Sequence, residues 1–194
     1  MNHIEAIEAG LEAGTPYHVI ARKIYLTYPT QVFIGQEERQ FVILDAIANF
    51  FDVPITSVQV AGSAKTGRSF HQRQNFRPGE SDLDIAIIDS HLFTRYSEAA
   101  FRLSRGFSDH TVFPMREGVP TYDEYARYLA RGVFRPDLMP IGPDRANVRN
   151  FFGQLSAKHS DLFSGITGAI YMSQVFFENK QRSAIKSYVD TKAI

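Results

Sequence analysis

The stretch VQVAGSAKTGRSFHQRQNFRPGESDLDIAIID, Val58 to Asp89, holds two short apolar runs separated by a polar segment. The first, Ser57 to Val60, is apolar and β-branched, which predicts a buried strand ending in Ala61-Gly62-Ser63. The second, Leu83 to Ile88, is a strand of the same kind, entered through Asp82-Leu83-Asp84. Side chains alternate along a strand, so Asp82 and Asp84 share one face while Leu83 points into the core. Residues Ser69 to Gly79 between them are polar and rich in breakers, which predicts an exposed loop.

Upstream, Ile4 to Ala13 has near-helical apolar spacing and is closed by Gly14. Thr15-Pro16 opens a second helix that reaches Tyr25 or Leu26 before the break at Pro29. A third helix spans Gln36 to Phe51, with Phe41, Leu44, Ile47, Ala48 and Phe51 on one stripe, and Val53-Pro54 ends it.

Downstream, Asp89-Ser90 caps a helix over His91 to Arg105, and Gly106 to Val119 is irregular. Thr121-Tyr-Asp-Glu124 has the form of a capping box and opens a helix ending near Arg131-Gly132. Gly132 to Pro143 is too rich in Pro and Gly for a helix, and Asp144 to Ala157 forms one. Phe163 to Phe177 fits a strand or a helix; we read a strand over Gly165 to Val175, then a helix from Glu178 to Tyr188. The expected fold is α/β (α+β): a small mixed sheet with flanking helices and helical additions at both ends. One domain covers residues 1–194, with a helical N-terminal segment over 1–52, a core over 56–89 and the remainder over 90–194.

Composition narrows the function classes. The 194 residues are 44% hydrophobic and 22% charged, which excludes a disordered chain. Lys+Arg and Asp+Glu both count 21, so net charge selects no nucleic-acid or membrane partner. With no cysteine, disulfides, thiolate nucleophiles and Cys-ligated zinc are excluded. No run approaches the roughly 18 apolar residues that span a membrane. The N-terminus carries acids where a signal peptide carries lysines, so the expected compartment is the cytoplasm.

The chemistry of the central stretch follows from its residue types. Two carboxylates on one strand face offer the hard oxygen ligands that Mg²⁺, or Mn²⁺, requires. Gly62 lets the backbone approach a ligand closely, and Ser63 adds a hydroxyl to the N–H groups of the turn. Together they can hold the phosphates of a nucleoside triphosphate and its metal, with Lys65 close enough in sequence to join them. Arg68, His71, Arg73 and Arg77 read as a solvated loop. Gly67 is followed by Arg68 rather than Lys-Ser/Thr, so this is no P-loop. Gly-x-Ser-x-Gly is also absent, which removes Ser63 as a hydrolase nucleophile.

Ala61-Gly62-Ser63 followed by Ser81-Asp82-Leu83-Asp84-Ile85 resembles the signature of the DNA polymerase beta-like nucleotidyltransferase superfamily. The likeness covers about residues 56 to 89, and Gly62 to Phe70 also looks like bacterial members found with defence and toxin–antitoxin loci. It implies that Gly62 and Ser63 contact the triphosphate and that Asp82 and Asp84 ligate magnesium. The implied activity is a magnesium-dependent transfer of NMP from an NTP to a hydroxyl on a protein, RNA or nucleotide acceptor.

Two departures qualify the likeness. The spacer from 64 to 81 is 18 residues, longer than compact members carry, and its excess resembles an insertion that lines or covers the pocket. Active members also carry a third acid on a later strand, and the segment Gly165 to Val175 contains none. Asp137 in the extended FRPDLMP segment is the leading substitute, ahead of Asp161 and Glu178. The rival reading is therefore a degenerate module that binds a nucleotide or a partner protein without chemistry.

Overall fold

The structure, a computed structural model, describes residues 2–192. Helices α1 (His3–Glu12), α2 (Tyr17–Arg22, continued by a π-helical turn Lys23–Thr27) and α3 (Glu37–Phe51) come first. Strand β1 (Val58–Ala61) runs directly into the short helix α4 (Gly62–Thr66), and β2 (Arg68–Ser69) pairs with β3 (Gln74–Asn75) in a hairpin. Then follow β4 (Leu83–Ile88), α5 (Ser90–Leu103), a second hairpin of β5 (Met115–Arg116) and β6 (Val119–Pro120), and α6 (Tyr122–Leu129). The chain ends with β7 (Val133–Phe134), α7 (Pro143–Lys158), β8 (Ile166–Tyr171) and α8 (Gln174–Lys192).

The main sheet has the order β1-β4-β8-β7, with β4 and β8 parallel and the outer strands antiparallel to them. Both faces are covered, which makes a mixed α/β fold with a buried sheet. On one face Val60, Ile85, Ile87 and Ile170 pack with Ile43, Ile47 and Phe51 of α3 and Val148 and Phe152 of α7. On the other, Ala61, Ala86 and Tyr171 pack with Ile20, Ile24, Tyr25, Phe177 and Ile185 from the terminal helices. Buried Glu178 joins those helices, because Arg22 donates to both its oxygens at 2.7 and 2.8 Å. Among the described residues, no helix is long and apolar enough to cross a membrane.

Local signals place most elements. Asp89 caps α5 through its side chain, which accepts from the Leu92 N–H at 2.7 Å. The expected capping box at Thr121 does not form. Thr121 stands at φ −79°, ψ 13° rather than in extended backbone, its N–H donates to the Pro114 carbonyl at 2.8 Å, and Arg116 of the second hairpin takes the Glu124 carboxylate at 2.7 Å. The Thr121 hydroxyl is left buried without a partner. Within the expected exposed loop, Phe70 and Phe76 turn inward. Phe70 packs on Tyr188 of α8 and Phe76 on Phe163, so the insertion is pinned at both ends.

Candidate functional site

Strand register brings the motif residues to one edge of the sheet. Ala61 at the end of β1 pairs with Asp84, and Asp84 pairs with Thr167 near the start of β8. Antiparallel β7 ends at Phe134 opposite Ile170, so Arg135 leaves the sheet toward the same edge. A cavity of about 880 Å³ opens there, lined among others by Gly62, Ser63, Asp82, Asp84, Arg135 and Asp137.

Gly62 is where β1 turns into α4, and it sits at φ 63°. That left-handed conformation suits glycine. A β-carbon at Gly62 would also collide with the Asp84 carboxylate oxygen. The turn and the carboxylate are therefore in direct contact, and that contact exists because residue 62 has no side chain.

Asp84 is the strained charge of the site. Burial pushes its carboxyl up to about 6, and the neighbouring Asp82 adds to the shift. Arg135 and Lys180 pull it back by less. No protein donor hydrogen-bonds to it among the described residues. Asp82 stands exposed at the mouth. Two adjacent carboxylates with free oxygens fit a hard divalent cation, which would relieve both the repulsion and the lost hydration.

The phenols of Tyr25 and Tyr171 border this carboxylate. Burial first, then Asp84 itself, raises both well above the ordinary tyrosine value, so they stay neutral.

The expected third acid, Asp137, shares the cavity with the Asp pair but is already engaged. Asp137 lines the cavity, but Arg135 Nε and Nη2 hold its two oxygens at 2.7 Å each. Arg145 donates to its main-chain carbonyl at 3.2 Å. The residue facing Asp84 across the parallel ladder is Thr167. Asp161 is bonded by Arg39 at 2.9 Å, and Glu178 belongs to the Arg22 pair. Among the described residues, no group of three His, Cys, Asp or Glu gathers to hold a metal.

Lys65 is turned away from the cavity, contrary to the expectation that it holds phosphate. It is buried, and its Nζ donates to the Tyr28 carbonyl at 2.7 Å. The cause is tertiary: α4 leans on the segment around Gln31, which also packs against Gly67. Conversely, Arg68 and His71 of the insertion line the cavity, while Arg73 and Arg77 do not.

Arg135, Arg145, Arg149 and Thr167 are cavity residues that the sequence reading did not single out. Arg135 had a local signal. Pro136 and Asp137 are the central residues of a turn closed by the Leu138 N–H on the Arg135 carbonyl at 3.0 Å, not of the expected extended segment, and that turn brings Asp137 to the Arg135 guanidinium. Comparison of the chain with protein-family models, characterised proteins and solved structures found no match.

Proposed function

We propose that this protein is a magnesium-dependent nucleotidyltransferase acting on a nucleoside triphosphate. The observation that carries the reading is the contact of Gly62 with Asp84: a half-buried carboxylate, lacking any protein donor among the described residues, set against a glycine turn at the mouth of a large cavity. Asp82 and Asp84 would hold the metal, and Gly62 and Ser63 would meet the phosphates. The metal supplies neutralisation of the charge that builds on the transferring phosphoryl group.

The remaining steps fall to the chain. The acceptor oxygen forms a bond to the α-phosphorus, the bond from that phosphorus to the bridging oxygen breaks, and pyrophosphate leaves. The acceptor proton would pass to solvent water, because the metal would occupy the Asp pair and Arg135 occupies the oxygens of Asp137. Arg135 also helps keep Asp84 ionised at neutral pH.

One observation favours a second reading, in which the same site binds the magnesium–triphosphate complex without transfer. Thr167 occupies the position facing Asp84, where an acid would complete the metal site. Both readings require the Asp pair, and one assay separates them. Protein, Mg²⁺ and labelled NTPs are incubated with candidate acceptors beside the Asp82→Ala/Asp84→Ala variant. Pyrophosphate release that the variant loses supports transfer. Tight binding without pyrophosphate for any acceptor supports the second reading, and binding that the variant retains overturns both.

A further inference from the structure

The cavity turns a corner. Asp84, Thr167 and Ala169 lie on one face of the sheet by register, whereas Phe152 of α7 meets Gly168 from the other face. β7 covers β8 only opposite Ile170 and Tyr171, so the first half of β8 is a free edge. Thr167 and Gly168 both line the cavity, which therefore passes round that edge. At about 880 Å³ it lies near the top of the usual range of roughly 300–1,000 Å³ for small-molecule sites.

On the far side, α7 contributes Arg145 and Arg149, one helical turn apart. Like charges at i and i+4 destabilise a helix, and Arg145 stands in the first turn, where the helix dipole disfavours a cation. Arg145 leans on the Asp137 carbonyl, and Arg149 has no protein partner among the described residues. The cavity wall as a whole carries five cationic residues (Arg68, Arg135, Arg145, Arg149 and Lys180) against three acids, in a chain whose net charge is zero. An anion seated between the α7 arginines removes their mutual repulsion, and the guanidinium fork matches phosphate oxygens.

We propose that this second seat takes a phosphate of the acceptor, so that the acceptor is a nucleotide: a ribose hydroxyl with a phosphate close by. The proposal rests on the Asp84 face being the triphosphate seat. A free nucleotide and the 3′ end of a single-stranded RNA present the same chemistry, and the test separates them.

The full-length protein, saturated with Mg²⁺ and a non-hydrolysable NTP, is titrated with a nucleoside 5′-monophosphate or a short labelled RNA with a free 3′-hydroxyl. The wild type binds one of them, and which one identifies the source. Arg145→Gln/Arg149→Gln weakens that binding by roughly 10–100-fold, the range for losing charge-assisted hydrogen bonds. Its affinity for the NTP stays within about threefold, since only one seat is touched. Arg149→Lys keeps the charge but not the fork, so it loses part of the affinity and less than the double variant does, and for RNA each arginine removed lowers the salt slope by about one. Thermal melting of each variant reports on its fold.

The proposal is overturned if neither probe binds, if the double variant binds the probe normally, or if NTP and probe affinities fall together. An Asp84→Asn variant that still binds NTP sinks the triphosphate seat instead, and leaves the arginine result standing on its own titration.

Discussion

Lys65, buried within the short helix α4, and Asp84, half-buried against its first residue, end up in opposite circumstances. Lys65 faces inward and finds the Tyr28 carbonyl at 2.7 Å. Asp84, pressed against Gly62 on the other side, has no protein hydrogen-bond donor among the described residues and opens into the cavity. Burial disfavours the charged form of each, lowering Lys65 to about 8 and raising Asp84 to about 6. The lysine's partner comes from its own chain, so it locks the fold. The carboxylate has no such partner among the described residues and opens into the cavity, which is why the proposed function seats its ligand there.

Gly62→Ala breaks this contrast most severely. Alanine at φ 63° is strained, and its β-carbon displaces the Asp84 carboxylate. The expected cost is about 1–3 kcal/mol of stability, read by denaturant melts. Nucleotide binding should fall by more than about 100-fold, since the turn and the carboxylate are lost together. A variant that melts lower yet binds normally would separate the turn from the site.

Asp84→Asn should pull stability and function in opposite directions. An acid whose pKa folding raises stabilises the folded state only while protonated. Its contribution is full below about 3.8 and is lost as pH rises through about 6. The amide removes that loss, so the variant should be more stable than wild type by about 1–3 kcal/mol at pH 8. The difference should shrink toward pH 4, while magnesium–nucleotide binding disappears at every pH. A less stable variant at pH 8 would mean that Asp84 has a hidden structural partner.

The same titration sets the pH dependence of the wild type. A cation competes with the proton on Asp84, so affinity for the magnesium–nucleotide complex should weaken below pH 6. Between pH 7.5 and pH 5 the expected loss is about tenfold, one unit below the carboxyl's value. Calorimetry at the two pH values measures it, and a flat profile would remove Asp84 from the metal site.

What was legible in the sequence was local. The strand before Gly62, the Asp82–Asp84 face, helix α3 and the Asp89 cap each follow from neighbours a few residues apart. What was not legible depends on distant registration. Thr167 faces Asp84 because β4 and β8 run parallel, although about eighty residues separate them in sequence. Thr121 failed as a cap because pairing of its N–H with the Pro114 carbonyl beside the second hairpin goes with a backbone that is not extended, while Arg116 of that hairpin takes Glu124. The direction of Lys65 was set by Tyr28, 37 positions upstream. Asp137 was expected in an extended segment but stands in a turn closed by the Leu138 N–H on the Arg135 carbonyl, and the guanidinium that this turn brings to it had no place in a reading made acid by acid.

Lys65→Met is the mildest test and the one that isolates tertiary placement. Methionine keeps most of the stem's volume and removes the ammonium. A lysine depressed to about 8 costs stability while it is charged, and that cost fades as pH rises past 8 toward 10.5. The variant therefore gains by losing a buried charge at pH 7 and loses by leaving the Tyr28 carbonyl unbonded. These effects oppose each other, so the net change should stay within about 1–2 kcal/mol. Nucleotide affinity should remain within about threefold, because the ammonium lies outside the cavity wall. A loss beyond tenfold, with the melting curve unchanged, would return Lys65 to the phosphate seat and erase the contrast between the two sides of α4.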